Sequence, residues 1–295
     1  MSKAYIGVDN KARVVKNIYI GVDGKARKVK KAWIGVNGKA QLVFSADFAF
    51  TYTGAYEVEG DLGGDFIIRF KTSGTLTVTD KGDVSTIDAF CLGGGGAGSW
   101  SIVSSLGGGG GGGGYTKTVK NLSIAVGTPI AVIVGAGGVV VNANDPVQGG
   151  TSTILTCSAA GGYGGAYLST GSDGGSGGGS AIEDTNVGYG GGYDGGNGNG
   201  VYLGGNGQGT TTTEFGEASG TLYAGGGGGG SRYGNIDGSD GGIGGGGAGA
   251  KQSTTTGIAG VANQGGGGGG NRASLDYTYQ NGVGGSGIVC IRNHR

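Results

Sequence analysis

Histidine is nearly missing from this sequence: the only one among 295 residues is His294. A Ser-His-Asp or Cys-His machine would have to be built on that one position, so nucleophilic catalysis of that kind is not expected. Cysteine is scarce too, with Cys91, Cys157 and Cys290 widely spaced. One histidine and three dispersed cysteines exclude a zinc site of the usual spacing, and an odd cysteine count argues against a secreted disulfide framework. Cys91 and Cys290 stand in the apolar runs AFCL and IVCI. Buried free thiols are expected there, which fits assembly in a reducing cytosol. Proline is confined to Pro129 and Pro146, which rules out a collagen triple helix. No apolar run reaches membrane-spanning length and no signal peptide opens the sequence, so membrane insertion is not expected. Apolar residues amount to 36%, too few for one large conventional core.

What the sequence has is glycine, 81 residues of it. Runs fall at Gly93–Gly96, Gly107–Gly114, Gly177–Gly179, Gly190–Gly192, Gly225–Gly230, Gly244–Gly247 and Gly265–Gly270. Glycine loses more backbone entropy on ordering than any other residue. So much of it implies either disorder or backbones packed on backbones with no Cβ between them. Against disorder stand 14 Tyr, 7 Phe and 2 Trp, low charge, and strand patterns on both sides of the glycine.

Homoglycine forms an extended threefold helix like polyproline II, rising about 3.1 Å per residue. It has no internal hydrogen bonds, so its N–H and C=O groups must find partners on neighbouring helices. A bundle of such helices would be a rigid core made of backbone, and the loops joining them would carry the side chains. Candidate loops are Val140–Gln148, Ala181–Val187, Thr210–Tyr223, Ser231–Asp240, Lys251–Gln264 and Asn271–Asn281, expected half at one end of the bundle and half at the other. Tyrosine and asparagine suit recognition, because Tyr offers large amphipathic area at low entropy cost. Receptor-contact candidates are Phe215, Tyr223, Arg232, Tyr233, Asn235, Tyr277 and Tyr279, with packing the competing role for the aromatics. Tyr163, Tyr167, Tyr189, Tyr193 and Tyr202 lie inside the glycine field and are expected to pack on glycine helices or cap them.

The first 44 residues repeat one unit three times: AYIGVDNKARVVKN, IYIGVDGKARKVKK and AWIGVNGKAQLVFS. Each reads as strand, turn dipeptide (Asp9-Asn10, Asp23-Gly24, Asn37-Gly38) and strand. Asn-Gly and Asp-Gly between β-formers mark type I′ hairpins, whose two central residues need positive φ. Such small hairpins cannot bury an apolar face alone, so they must stack on one another, on other subunits or on a partner. Residues 1–44 carry ten Lys/Arg against Asp9 and Asp23, while the remainder carries ten basic and eighteen acidic residues. Lys11, Arg13, Lys25, Arg27 and Lys39 are the candidate attachment residues; solvating an exposed edge is the plainer role for them. Repeated hairpins with no recognition helix and no zinc ligands do not point to nucleic acid.

From Phe48 to Leu92 the pattern is that of antiparallel strands, as in Phe66–Phe70, Thr75–Thr79 and Ile87–Leu92. Thr116–Val126 and Ile130–Val134 add two strands, and Ile288–Arg292 adds a closing one. Strands on both sides imply a β-sandwich with the glycine field inserted into it. The expected fold is therefore all-β: hairpin repeats over 1–44, sandwich strands over 45–92, a glycine-rich polyglycine II bundle over 93–287, and a closing strand over 288–295.

Several motifs carry a resemblance. Thr72–Val78, followed by Ile87–Leu92 running into GGGGAG, resembles the opening of the glycine-rich domain of bacteriophage tail fibres and tail adhesins. IAVIVGAGG from Ile130 and GGSGIVCIR from Gly284 look like the same family's second motif and closing strand. The N-terminal YIGVDGKARKVKKAWIGVNGKA resembles short repeats in tail proteins of phages and prophages of gut Firmicutes. The resemblance implies a virion-tail adhesin assembled in the host cytoplasm, acting outside it on a bacterial surface receptor, glycan or outer protein. The hairpins would join a tail or baseplate protein, with a homotrimer as the family-level expectation. A bacterial surface or secreted adhesin or matrix protein is the alternative. A glycan-active enzyme comes third, since no spacing of carboxylates identifies an acid–base pair. No cofactor or metal is expected: Asp173, Glu183, Asp184, Asp194, Glu214, Glu217, Asp237 and Asp240 read as solvated turn residues rather than a calcium hand.

Overall fold

A computed structural model describes residues 5–8, 11–14, 18–29, 31–45, 47–100, 107–140, 147–166, 170–181, 189–200, 204–231, 238–251, 254, 256–272 and 282–294. It is all-β, with one 3-10 turn at Glu214–Gly216. The strands are β1 (Tyr5–Val8), β2 (Lys11–Val14), β3 (Tyr19–Val22), β4 (Lys25–Lys28), β5 (Lys31–Val36) and β6 (Lys39–Ser45) in the repeats. There follow β7 (Ala49–Tyr52), β8 (Tyr56–Gly60), β9 (Phe66–Phe70), β10 (Gly74–Asp80), β11 (Thr86–Leu92), β12 (Thr116–Leu122), β13 (Pro129–Ile133), β14 (Ser152–Ile154), β15 (Cys157–Ala159) and β16 (Ile288–His294).

The six repeat strands pair only within their own unit, as three two-stranded antiparallel sheets. Asp23 and Gly24, and Asn37 and Gly38, all have φ between +50° and +73°, the geometry of a type I′ turn. Asp9 and Asn10 lie outside the described residues. Tyr19 and Ile20 on β3, and Trp33 and Ile34 on β5, are at least half exposed on both faces of their sheets.

The other ten strands form two five-stranded antiparallel sheets. One runs β15-β14-β13-β10-β7 and the other β12-β11-β16-β9-β8. The alternation written in the sequence sets which residues point inward: β9 alternates buried and half-buried, and β13 alternates exposed and buried. Leu76, Val78, Ile130, Val132 and Ile154 from the first sheet meet Phe66, Ile68, Phe70, Ile87, Ala89, Val289 and Ile291 from the second in one core. Strand β16 lies between β11 and β9, so the two ends of the glycine-rich region enter and leave on adjacent strands. Strand β11 is buried from Ile87 onward because its outer face is covered too. Phe90 and Leu92 there pack with Phe215, Tyr223, Ala224, Ile288 and Cys290 in a second cluster.

The glycine runs are extended and bonded sideways. In the run Gly107–Gly114 every third residue meets the same neighbour. Gly108, Gly111 and Gly114 donate to the carbonyls of Asn271, Gly268 and Gly265, and Gly110 and Gly113 to those of Gly179 and Ser176, at 2.7–2.9 Å. The carbonyls of Gly108 and Gly111 accept from Gly230 and Gly227, those of Gly109 and Gly112 from Ser99 and Gly96, and those of Gly110 and Gly113 from Ser172 and Gly175. Gly112 also donates to Tyr163. The run is thus surrounded by neighbours on all sides, and all eight of its glycines are buried. A Cβ on any of them would sit closer than 3.0 Å to backbone atoms of an adjacent segment. Several of the buried non-glycine residues in these segments are small, as at Ala97, Ser99, Ser176, Ala224 and Ala250.

Candidate functional site

The glycine array has two unlike ends. At the end beside the sheets the connections are short hydrogen-bonded turns. Gly196 donates to Tyr193, Gly246 to Gly242, and Gln264 to Val261. Asn263 fastens one of these turns to the sheets, its Nδ2 donating to the carbonyls of Lys71 at 2.8 Å and Gly287 at 3.1 Å.

The longest connection at this end, residues 209–223, is clamped by two arginines. Arg69 on β9 donates from Nε and Nη2 to the two carboxylate oxygens of Glu214 at 2.7 and 2.6 Å, a bidentate pair. Glu214 is buried, and the Tyr223 hydroxyl reaches its Oε1 at 3.4 Å. The hydrogen bond to Glu214 raises the Arg69 pKa against the opposing cost of burial. Burial pushes the Tyr223 phenol up. Arg292 on β16 lies over the Phe215 ring, 4.5 Å from its centroid. It donates to the fully buried Asp88 at 3.1 Å and to Glu217. Phe215 takes a left-handed φ of 55° to reach that place, a strained position for an aromatic residue held by the packing around it. A cleft of about 330 Å³ nearby is lined by Thr116, Lys117, Gln208, Thr211 and Thr213 among others. Its polar groups are largely bonded to one another. Gln208 Nε2 donates to Thr116 Oγ1 at 2.8 Å, and Thr211 Oγ1 to Asp194 at 2.6 Å.

The far end is different. Ser99 donates to Gly109, Gly108 to Asn271, Gly98 to Gly282, Ser231 to Ala250, and Tyr189 to Ser180. Gly229 donates to Tyr189, Ser180 to Asn199, Ala166 to Thr170, and Ala97 to Val147. These bonds gather at one end the residues that flank segments 101–106, 141–146, 167–169, 182–188, 201–203, 232–237, 252–255 and 273–281. Apart from Thr254, those segments lie outside the described residues. In sequence they are the inverse of the array, with only Gly188 and Gly234 as glycine.

Phe215 and Tyr223 are buried in the second cluster, so this chain does not offer them to a receptor; packing claims both. Arg232, Tyr233, Asn235, Tyr277 and Tyr279 lie outside the described residues, between flanks at the far end. Of the expected loops, Thr210–Tyr223 lies beside the sheets, and Lys251–Gln264 ends there in its Val261–Gln264 turn. Glu214 is a buried ion-pair partner, not a solvated turn residue. Tyr163 and Tyr193 are more than half exposed rather than packed into the glycine. Of the attachment candidates, Lys25, Arg27 and Lys39 are exposed, and Lys11 and Arg13 lie on β2. All three cysteines are buried free thiols. Among the described residues, no group of three His, Cys, Asp or Glu side chains is placed to hold a metal ion.

The Arg69–Glu214 and Arg292–Asp88 pairs were beyond the reach of pattern reading, since their members stand 145 and 204 residues apart. No curated protein matches the chain. Residues 71–294, which take in β10 to β16 and the whole glycine array, match the glycine-rich domain family. The chain belongs to that family.

Proposed function

We propose that this chain is a structural binding protein, a tail fibre or tail-tip adhesin of a phage or phage-tail-like particle. In this reading the glycine runs are polyglycine II helices bundled on a β-sandwich, and the bundle presents far-end segments to a bacterial surface receptor. The three N-terminal hairpin repeats join the tail or baseplate, or other copies of the chain as a homotrimer. It is a binding protein, not an enzyme, without cofactor or metal, acting outside the cell as part of a virion tail.

The observation that carries this reading is the asymmetry of the array. One end is tied to the sheets by buried ion pairs and aromatic packing. At the other, the flanks of eight glycine-poor segments converge. The threefold recurrence of neighbours along Gly107–Gly114 supports the helix type, since polyproline II geometry repeats every three residues. A scaffold of this kind holds contact residues in place without spending side chains on itself. Tyr233, Tyr277 and Tyr279, with Arg232 and Asn235, are the residues we assign to the receptor. The test is adsorption of the labelled protein to Firmicutes cells. Replacing Tyr233, Tyr277 and Tyr279 together by Ala should abolish cell binding and leave the melting temperature unchanged. Binding that survives this triple substitution would overturn the assignment.

A further inference from the structure

Two of the buried thiols share one place. Cys91 lies on β11 of one sheet, and Cys157 on β15 of the other. Cys157 Sγ stands 3.3 Å from the carbonyl oxygen of Lys117 and 3.7 Å from that of Ala89. Lys117 is the residue paired with Cys91 across the β11–β12 ladder, and Ala89 is two residues back on β11. Cys91 Sγ in turn stands 3.5 Å from the Cys157 carbonyl. Each sulfur therefore lies against backbone at the other's position, and each thiol influences the ionisation of the other. Cys290 is elsewhere, in the cluster on the outer face of its sheet.

We propose that Cys91 and Cys157 are a redox modification site, a dithiol that closes into a disulfide joining the two sheets. Buried cysteine most often serves as a small hydrophobe, and one cysteine in a core would need no other account. Two that face one another across the gap between separate sheets are placed for a covalent bond. The location suits access as well as proximity. Cys157 is on β15, the outermost strand of its sheet, and Cys91 is on β11, next to the outermost β12, so the pair sits near a lateral border that local opening reaches first.

The roles of the two sulfurs differ. The neighbouring Cys91 lowers the Cys157 pKa against the cost of burial, and the nearby Lys117 ammonium adds to this. Cys91 is raised, by the neighbouring Cys157 and then by burial. Cys157 is therefore the thiolate that attacks, and a small oxidant, hydrogen peroxide, suits the enclosed site. The Cys157 sulfur attacks one peroxide oxygen, the O–O bond breaks, and hydroxide leaves, giving a sulfenic acid. The Cys91 sulfur then attacks the Cys157 sulfur, the S–O bond breaks, and the departing hydroxide takes the Cys91 proton. Two thiols are oxidised, and one peroxide is reduced to two waters once the first hydroxide has taken up the Cys157 proton. In a reducing compartment the pair stays open, and outside it the bond closes.

The experiment uses the full chain, purified under reductant, desalted and treated with limiting hydrogen peroxide. Thiols are then alkylated in denaturant and counted by intact mass. Alkylation should fall from three sites to one, with a loss of two hydrogens that dithiothreitol reverses. The Cys290→Ser variant, which leaves the pair intact, should fall from two sites to none. Cys157→Ser should keep both of its remaining thiols, and Lys117→Met should slow closure several-fold without changing its extent. The proposal is overturned if peroxide leaves all three thiols free, if it adds oxygen without a cross-link, or if the bond formed includes Cys290.

Discussion

The molecule holds two cores built on opposite principles. Between the sheets, Phe48, Phe70, Ile68 and Leu76 exclude water with side chains. In the glycine array, Gly107–Gly114 and the segments around it exclude water with backbone, every N–H of Gly108–Gly114 and every C=O of Gly108–Gly113 bonded to a neighbouring segment. The first core is held by apolar area, at about 25 cal/mol per Å². The second has almost no apolar side chain to bury and is held by dense hydrogen-bond pairing, for which one missing partner is costly. A side-chain core adjusts to small changes of volume. A backbone core at this spacing admits no side chain.

The largest expected effect tests that contrast directly. At Gly111 an added Cβ would meet the carbonyl oxygens of Gly96 and Ala97, and those groups are fixed by their own hydrogen bonds. Gly111→Val should therefore exceed the ~1–3 kcal/mol of ordinary overpacking. We expect the array to open, with amide protection lost across Gly225–Gly230 and Gly265–Gly270 in hydrogen exchange and most of the protein insoluble. Retained protection in those runs would mean that the backbone core tolerates side chains.

Next comes the joint between the cores. Glu214→Ala leaves the partly buried Arg69 with the exposed Glu59 as its remaining partner, and should cost at most the loss of about 3–5 kcal/mol that follows from breaking a buried pair. Denaturant unfolding should report that loss, and the exchange of residues 209–223 should rise before that of β9. Within the side-chain core the effect is smaller again. Ile68→Val removes one methylene from a fully buried position and should cost about 0.5–1.5 kcal/mol. A larger loss would mean that the sheets pack as unforgivingly as the glycine.

Reading residue patterns served the first core better than the second, for physical reasons. Strands β9 and β10 alternate over five to seven residues, long enough for the period to show, and β11 and β16 carry continuous apolar runs between turn residues. The pair β14–β15 went unread, because each strand has three residues and the turn between them sets Leu155 at φ 51° with no glycine to mark it. The strand expected over Thr116–Val126 stops at Leu122. Asn121 there takes φ 58° and donates its N–H to the buried Asp88, a partner that no local pattern reveals. In the array, homoglycine carries no register at all. Which segments lie side by side, and which connections share an end, is decided by where β11, β12 and β16 deliver the chain. For the same reason the sequence leaves Phe215 and Tyr223 between recognition and packing, and only their contact with Phe90 settles on packing.

The smallest effect belongs to glycines outside both cores. Gly35 on β5 faces Ala40 across its two-stranded sheet, and an added Cβ there would meet nothing within 4 Å. Gly35→Val is the same chemical change as Gly111→Val. It should alter stability by no more than about 0.5 kcal/mol, as surface substitutions do, and the β-branched side chain favours a strand. Equal melting temperatures for Gly35→Val and the parent chain would establish that glycine content alone does not make a core and that the close approach of neighbouring backbone does. A second readout sharpens the comparison. If the hairpins bind a tail protein or another copy across the face that holds Gly35, the variant keeps its melting temperature and loses incorporation into particles. The glycine would then be doing at an interface between molecules what Gly111 does within one.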